Sequence, residues 1–247
     1  MTMVNAFGGD AAPDLPPAER ALIERRARVL GPAYRLFYQR PVHIVRGEGV
    51  WLYDPAGAAY LDVYNNVAST GHCHPHVVAA LSRQAATLNT HTRYLNETVV
   101  DYAERLTALF PEALSQVMFT CTGSEANDLA LRVARARTGA TGVIVTATAY
   151  HGVTAAVAEA SPSLGDGVPL GVNVRAVPPP DGSDNGERFA AGVAAAIADL
   201  AAHGQGVAAL LADTLFSSDG VVSDPPGFLK PAVAAVRRAG GLFIADE

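Results

Sequence analysis

Thr120-Cys121-Thr122-Gly123-Ser124-Glu125-Ala126-Asn127 is the stretch on which the reading of this chain turns. Val117-Met118-Phe119 ahead of it reads as a short buried strand. Behind it, Ala126, Leu129, Ala130, Val133 and Ala134 recur at the spacing of one helix face, which predicts a helix over 124–137. The glycine is expected to let the chain turn sharply between strand and helix, with Thr122 or Ser124 as the cap. Unspent backbone N–H groups in a first helical turn, flanked by hydroxyls, make a site for an anion such as phosphate. A plain capped helix is written in the same letters, so both readings stand on this stretch alone.

Outward from that point, compact apolar runs alternate with helical patterns. Strands are expected at 116–120, 142–146, 172–177, 207–212 and 241–245, and helices at 124–137, 152–160, 188–202 and 227–239. The rhythm is that of an α/β fold with a predominantly parallel sheet covered by helices on both faces. The run 178–186, rich in Pro, Asp and Gly, reads as a surface loop. Toward the N-terminus, Met1–Pro17 reads as an arm and Ala18–Leu30 as a surface helix ending near Gly31-Pro32. Val42–Val45 and Val50–Tyr53 look like short strands joined through Arg46-Gly47-Glu48-Gly49. Asp54-Pro55-Ala56-Gly57 has turn chemistry, and Tyr60–Val63 resumes extended structure. Together they make a small antiparallel unit, followed by helices over 75–88 and 97–110.

With 247 residues, 49% of them hydrophobic and 17% charged, the chain can bury a substantial core. A formal net charge of -6 gives no electrostatic attraction to nucleic acid or an anionic membrane, so neither is expected as a partner. Cys73 and Cys121 are too few for a disulfide scaffold, and no stretch has the length and apolarity of a membrane span or the pattern of a secretion signal. The cytoplasm is the expected compartment. His72, Cys73, His74 and His76 crowd together without a matching second cluster, so no metal site is expected there. Asn65–Pro75 reads instead as a tight loop bordering an active site. Lys230 is the only lysine of the chain, and thus the one candidate for chemistry that needs an amine.

Thr122-Gly123-Ser124-Glu125-Ala126-Asn127, then Ala149-Tyr150-His151-Gly152, then Phe243-Ile244-Ala245-Asp246-Glu247 resemble, in order, the signatures of class III aminotransferases. These are fold-type-I enzymes that use pyridoxal 5'-phosphate (PLP). The resemblance runs from about Tyr34 onward and covers only part of the family's fold. It implies an N-terminal arm and helix over 1–33, the first part of a small domain over 34–65, and a truncated PLP-binding large domain over 66–247, leaving the small domain incomplete. Leu88–Asn96, Val99–Leu106 and Asn127–Arg132 are similar to the branch that contains ethanolamine-phosphate phospho-lyases.

The same resemblance assigns roles. Gly123 and Ser124 would hold the cofactor's phosphate. Tyr150 would cover one face of its ring, although an aromatic residue there is equally read as packing. His151 would orient the local loop or the substrate. Asp246 would meet the pyridine nitrogen and strengthen the ring as an electron sink, where sequence alone also allows a polar strand end. The resemblance places the 67–72 region at the cofactor or substrate entrance; Asn66, just ahead of it, would be a substrate-binding residue, and Arg93 is a candidate for a substrate anion against a structural reading. Asp213 occupies the acidic position of a segment that has Glu-Pro in many relatives, and Ser217 would face cofactor or substrate; a structural turn is the competing reading for both.

The family's Schiff-base lysine has no counterpart in this sequence, since Lys230 falls earlier and reads as a solvated helix residue. The complete protein is expected to transfer an amino group from a small-molecule donor to a keto acid or aldehyde, as a homodimer. Elimination of phosphate from a phosphorylated amino alcohol is the enzymatic alternative. A non-catalytic PLP-binding or assembly module is the third reading, and it rests on the missing lysine.

Overall fold

The computed structural model describes residues 7, 15–31, 34–64, 68–184 and 186–247, and the chain divides into two units, Thr2–Leu109 and Phe110–Glu247. In the first unit α1 (Pro17–Leu30) precedes a three-stranded antiparallel sheet of β1 (Arg46–Glu48), β2 (Trp51–Tyr53) and β3 (Ala59–Leu61), in that order. The expected strand over 42–45 does not form, and the supposed connector Arg46-Gly47-Glu48 is itself the strand. The reason is local. Gly49, at φ +56°, closes a two-residue turn with Val50, which sets Glu48 opposite Trp51 and Arg46 opposite Tyr53. The Arg46 guanidinium then lies 3.6 Å from the Tyr53 ring centroid, a cation–π contact that holds this register. Asp54 closes the next turn by accepting the N–H groups of Ala56 and Ala58, each at 2.9 Å. α2 (Pro75–Thr87) and α3 (Glu97–Thr107) follow, the latter capped by Asn96, which accepts the Thr98 N–H at 3.0 Å.

The second unit holds α4 (Gly123–Thr138), β4 (Gly142–Thr146), α5 (Ala155–Ala158), β5 (Val174–Val177), α6 (Glu187–Ala202), β6 (Val207–Ala212), α7 (Lys230–Arg238) and β7 (Leu242–Ala245). Its four strands form one sheet in the order β5-β4-β6-β7, and every pair is parallel. All residues of β4 and β6 are buried, as continuous apolar runs in a doubly covered parallel sheet should be. Alternation along the strands assigns the faces. Val143, Val145 and Leu211 pack with Leu131 of α4 and Val157 of α5. Ile144, Leu210 and Ala212 pack with Phe189 and Val193 of α6 and with Ala232 and Val236 of α7.

Two expectations fail here for identifiable reasons. Gln116–Thr120 is not a strand: the sheet ends at β5 and β7, neither pairs with it, and Met118 and Phe119 are exposed. Its letters signal burial, but apolarity alone does not make a strand. The helix expected over 152–160 shrinks to Ala155–Ala158, because Gly152 and Val153 are drawn out to meet α4 and Pro162 follows closely.

The loop between β6 and α7 is pinned by Phe216, fully buried against Phe189 and Phe228 with ring centroids 5.8 and 5.7 Å away. Phe216 and Val221 hold left-handed backbones at φ +53° and +64°. Such conformations cost on the order of 1–3 kcal/mol each in residues other than glycine, and persist where packing dictates them. Phe216→Ala should therefore lower the unfolding free energy by about 3–5 kcal/mol in urea titration, whereas Met118→Ala should stay within about 0.5 kcal/mol of the parent.

Candidate functional site

The first turn of α4 accounts for its own backbone groups with two vacancies. Thr122 is extended (φ −144°, ψ 157°), and its Oγ1 accepts the Glu125 N–H at 3.1 Å. Glu125 reaches back through Oε2 to the Cys121 N–H at 2.9 Å, completing a capping box. The Ala126 N–H donates to the Thr122 carbonyl at 3.0 Å. Among the described residues the N–H groups of Gly123 and Ser124 have no acceptor, and they stand at the positive end of a 16-residue helix. Gly123 itself is not in the left-handed region, so the turn does not depend on it, contrary to the sequence expectation. A Cβ at that position would meet nothing within 4 Å, so the glycine leaves open space over the two free amides.

Ser124 is held from the other side. Its Oγ accepts the Val153 N–H at 3.1 Å, which leaves the hydroxyl hydrogen to donate elsewhere. The approach requires a glycine at 152: the backbone there has φ +133°, and a Cβ would stand 2.5 Å from Ser124 Oγ and 2.8 Å from Ser124 Cα. The segment following β4 is thereby locked to the start of α4.

His151, in that segment, is fixed at every polar atom except one. Its N–H donates to Ser161 Oγ at 3.0 Å, its carbonyl accepts Asn127 Nδ2 at 2.9 Å, and its Nδ1 lies 2.8 Å from Asp246 Oδ2. Because a carboxylate only accepts, Nδ1 carries the hydrogen in this pair. Nε2 is buried and has no partner among the described residues. The imidazole is 1% exposed and the Asp246 side chain 23%. Asp246 follows β7, where its N–H donates to the Ala212 carbonyl at 3.0 Å. Tyr150, next to His151, keeps half of its surface exposed.

These groups gather at the carboxyl edge of the parallel sheet. After β4 the chain crosses the α4 face through α5, and after β6 it crosses the opposite face through α7. Since β4 and β6 are neighbours, the connections diverge between them, the place where open α/β sheets bind ligands.

Asp213 directly follows β6 at this edge. Its carboxylate accepts the Leu215 N–H at 2.9 Å, the Ser217 N–H at 2.7 Å and the Ser217 hydroxyl. Burial pushes its pKa up, but the Ser217 hydroxyl, the two amides and the nearby His151 together bring it below the usual carboxylate value. Asp213 and Ser217 thus satisfy each other within a turn. Arg93 is an exposed residue of the first unit, on the α2–α3 connector beside the stacked His91 and Tyr94 rings, and its N–H donates to His91 Nδ1 at 3.2 Å. Asn66 lies outside the described residues. His72 pairs with Asp62 at 2.8 Å, and among the described residues no three potential ligands converge for a metal.

Sequence reasoning passed over Asn127 and Ser161 as supports of His151, although the Thr-x-x-Glu spacing of the capping box was readable. Gly152→Ala should displace Ser124 and destabilise the fold by about 2 kcal/mol or more, measured by chemical denaturation. Gly123→Ala should cost far less than that.

Comparison with known proteins matches residues 36–247 to the family Aminotransferase class-III. An alanine–glyoxylate aminotransferase 2-like protein of Drosophila melanogaster is 42% identical over 242 residues, covering 91% of this chain and 49% of that protein. The structure of a phospholyase from Arthrobacter in complex with phosphoethanolamine is 46% identical, with a TM-score of 0.85, over 91% of this chain and 55% of that one. A taurine:2-oxoglutarate aminotransferase from Bifidobacterium kashiwanohense, in complex with PLP and glutamate, shares the fold at 21% identity and a TM-score of 0.76, over 94% of this chain and 55% of that one. The chain spans about half the length of the relatives it matches. With the signatures at 122–127, 149–152 and 243–247 drawn to one edge of a parallel sheet, and a family match over most of its length, the chain belongs to the class III aminotransferases.

Proposed function

We propose that this chain is the cofactor-holding part of a PLP-dependent enzyme that transfers an amino group from an amine or amino acid to a keto acid or aldehyde. The observation that carries the reading is the coupling of an anion cradle to an acid. Gly152 locks Ser124 of α4 to the segment after β4, and His151 of that segment is bonded to Asp246. When bound, PLP supplies an electron sink for the pair released as the substrate's Cα–H bond breaks.

The chain's own residues then have distinct tasks. The Gly123 and Ser124 amides and the Ser124 hydroxyl hold the phosphate, with the α4 dipole adding to the attraction. Asp246 gives one oxygen to His151 and turns the other to the pyridine nitrogen, keeping its proton in place. Tyr150 offers its exposed ring as a lid on one face. Asp213 and Ser217 shape the neighbouring wall, while Asn66 and Arg93 contribute to substrate recognition, Arg93 toward an anionic group.

Lys230 does not fit the amine this chemistry uses: it is exposed at the start of α7, on the sheet face opposite α4. We therefore assign that amine to sequence of a full-length protein beyond this chain. A homodimer fits the apolar side chains left exposed, among them Met118, Phe119 and Val100. A cytoplasmic location fits the free, exposed thiols of Cys73 and Cys121. No helix among the described residues is long and apolar enough to cross a membrane.

A second reading, elimination of phosphate from a phosphorylated amino alcohol, is favoured by one observation: the 46% identity to the Arthrobacter phospholyase. A product assay on the full-length protein separates the two. Amino transfer predicts an aminated acceptor formed in step with donor consumption. Release of inorganic phosphate from phosphoethanolamine, with no acceptor required and none aminated, would favour the lyase. Neither product would leave a binding module.

A further inference from the structure

Asp219, in the loop after β6, has both carboxylate oxygens engaged by the end of β4. Thr146 Oγ1 donates to Oδ2 at 2.8 Å, and Thr148 Oγ1 donates to Oδ1. Thr146 is the buried last residue of β4, and Thr148 stands two residues before Tyr150. The main chain around Asp219 is equally constrained. The N–H groups of Asp219 and Val221 both donate to the Phe216 carbonyl, at 2.9 and 3.0 Å, while the Phe216 ring is sunk in the core. Phe216 and Val221, which bracket the acid, are the two residues of this loop with left-handed backbones other than glycine. An aromatic and a β-branched residue keep that conformation only where their surroundings enforce it. The same loop begins with Asp213, beside His151.

We propose that Asp219 is a positioning residue: through Thr146 and Thr148 it staples the loop that carries Asp213 to the segment that carries Tyr150 and His151, fixing the spacing of the charged groups at the carboxyl edge of the sheet. Strand alternation puts Thr146 on the side of Ile144, which packs with α6 and α7. Asp219 therefore acts from the face opposite α4 and reaches the site only through its partners. A carboxylate suits the task, since it accepts from two hydroxyls at once. An amide keeps one acceptor and offers N–H groups to the other hydroxyl, which must turn round to receive them. The partners are 71 and 73 residues from Asp219 in the chain, so the staple joins two segments that nothing local holds together.

The proposal deepens the functional reading and rests on it only for what the positioned groups do; the test reads their positions without a ligand. Isotope-labelled chain is compared with Asp219→Ala, Asp219→Asn and Thr148→Val by amide hydrogen exchange and by the imidazole nitrogen resonances of His151. In Asp219→Ala, amides of 213–221 should exchange at least roughly tenfold faster and the His151 resonances should shift, while the amides of β4 and β6 keep their protection. Asp219→Asn should fall between Asp219→Ala and the parent, and Thr148→Val should change in the same direction by less. A folded Asp219→Ala with unchanged loop exchange and unchanged His151 resonances would overturn the proposal. Should that variant not fold, Thr148→Val decides alone, and the parent's exchange and resonances in it would overturn the proposal equally. Failure of the parent chain to bind PLP in a parallel titration would count against the functional reading and leave the staple standing.

Discussion

The hydrogen bond from His151 Nδ1 to Asp246 Oδ2, 2.8 Å long, joins the segment after β4 to the end of β7, with β6 lying between those strands. Its strength comes from burial, because the imidazole is out of contact with water and its main chain is fixed by Asn127 and Ser161. A carboxylate anchored in this way cannot swing to follow solvent, which is the condition for holding a cationic ring nitrogen in one place. The same segment reaches α4 through Val153 and Ser124, so an anion bound at the helix start and a cation bound at Asp246, as proposed, would be referred to one continuous piece of backbone.

How much of this was legible depended on whether the signal was local. The capped start of α4, the apolar runs of β4 and β6 and the turn at Asp54 are each decided within a few residues, and the structure has them. The candidate site rests on three separated signatures, and their convergence follows from the parallel topology: Gly123 opens α4, His151 lies in the segment after β4 and Asp246 follows β7. The strand expected at 116–120 failed because pairing is a property of the neighbour as much as of the segment. The hairpin turns at Gly49, with Arg46–Glu48 and not Val42–Val45 as its first strand, because a two-residue turn outranks apolarity in setting the register. Asp219 left no trace in the sequence, since its partners lie more than 70 residues away.

Glycine at positions 123 and 152 serves opposite purposes. At 152 the absent side chain lets two backbones touch, and any Cβ collides with Ser124. At 123 the absent side chain leaves room that no part of the described protein fills. A glycine in a helix costs conformational entropy, and under the proposed function the space it leaves is the room a phosphate would take beside two free amides. Lys230, by contrast, is exposed at the start of a helix on the other face of the sheet.

Equilibrium dialysis of the chain against PLP and against pyridoxal tests most directly the proposal that the α4 start recognises a phosphate in company with a pyridine ring. PLP is expected to bind at least roughly tenfold more tightly than pyridoxal, in line with charge-assisted hydrogen bonds to the phosphate, and this preference is expected to survive Lys230→Ala. Equal binding of the two compounds, or a preference lost with Lys230, would contradict it.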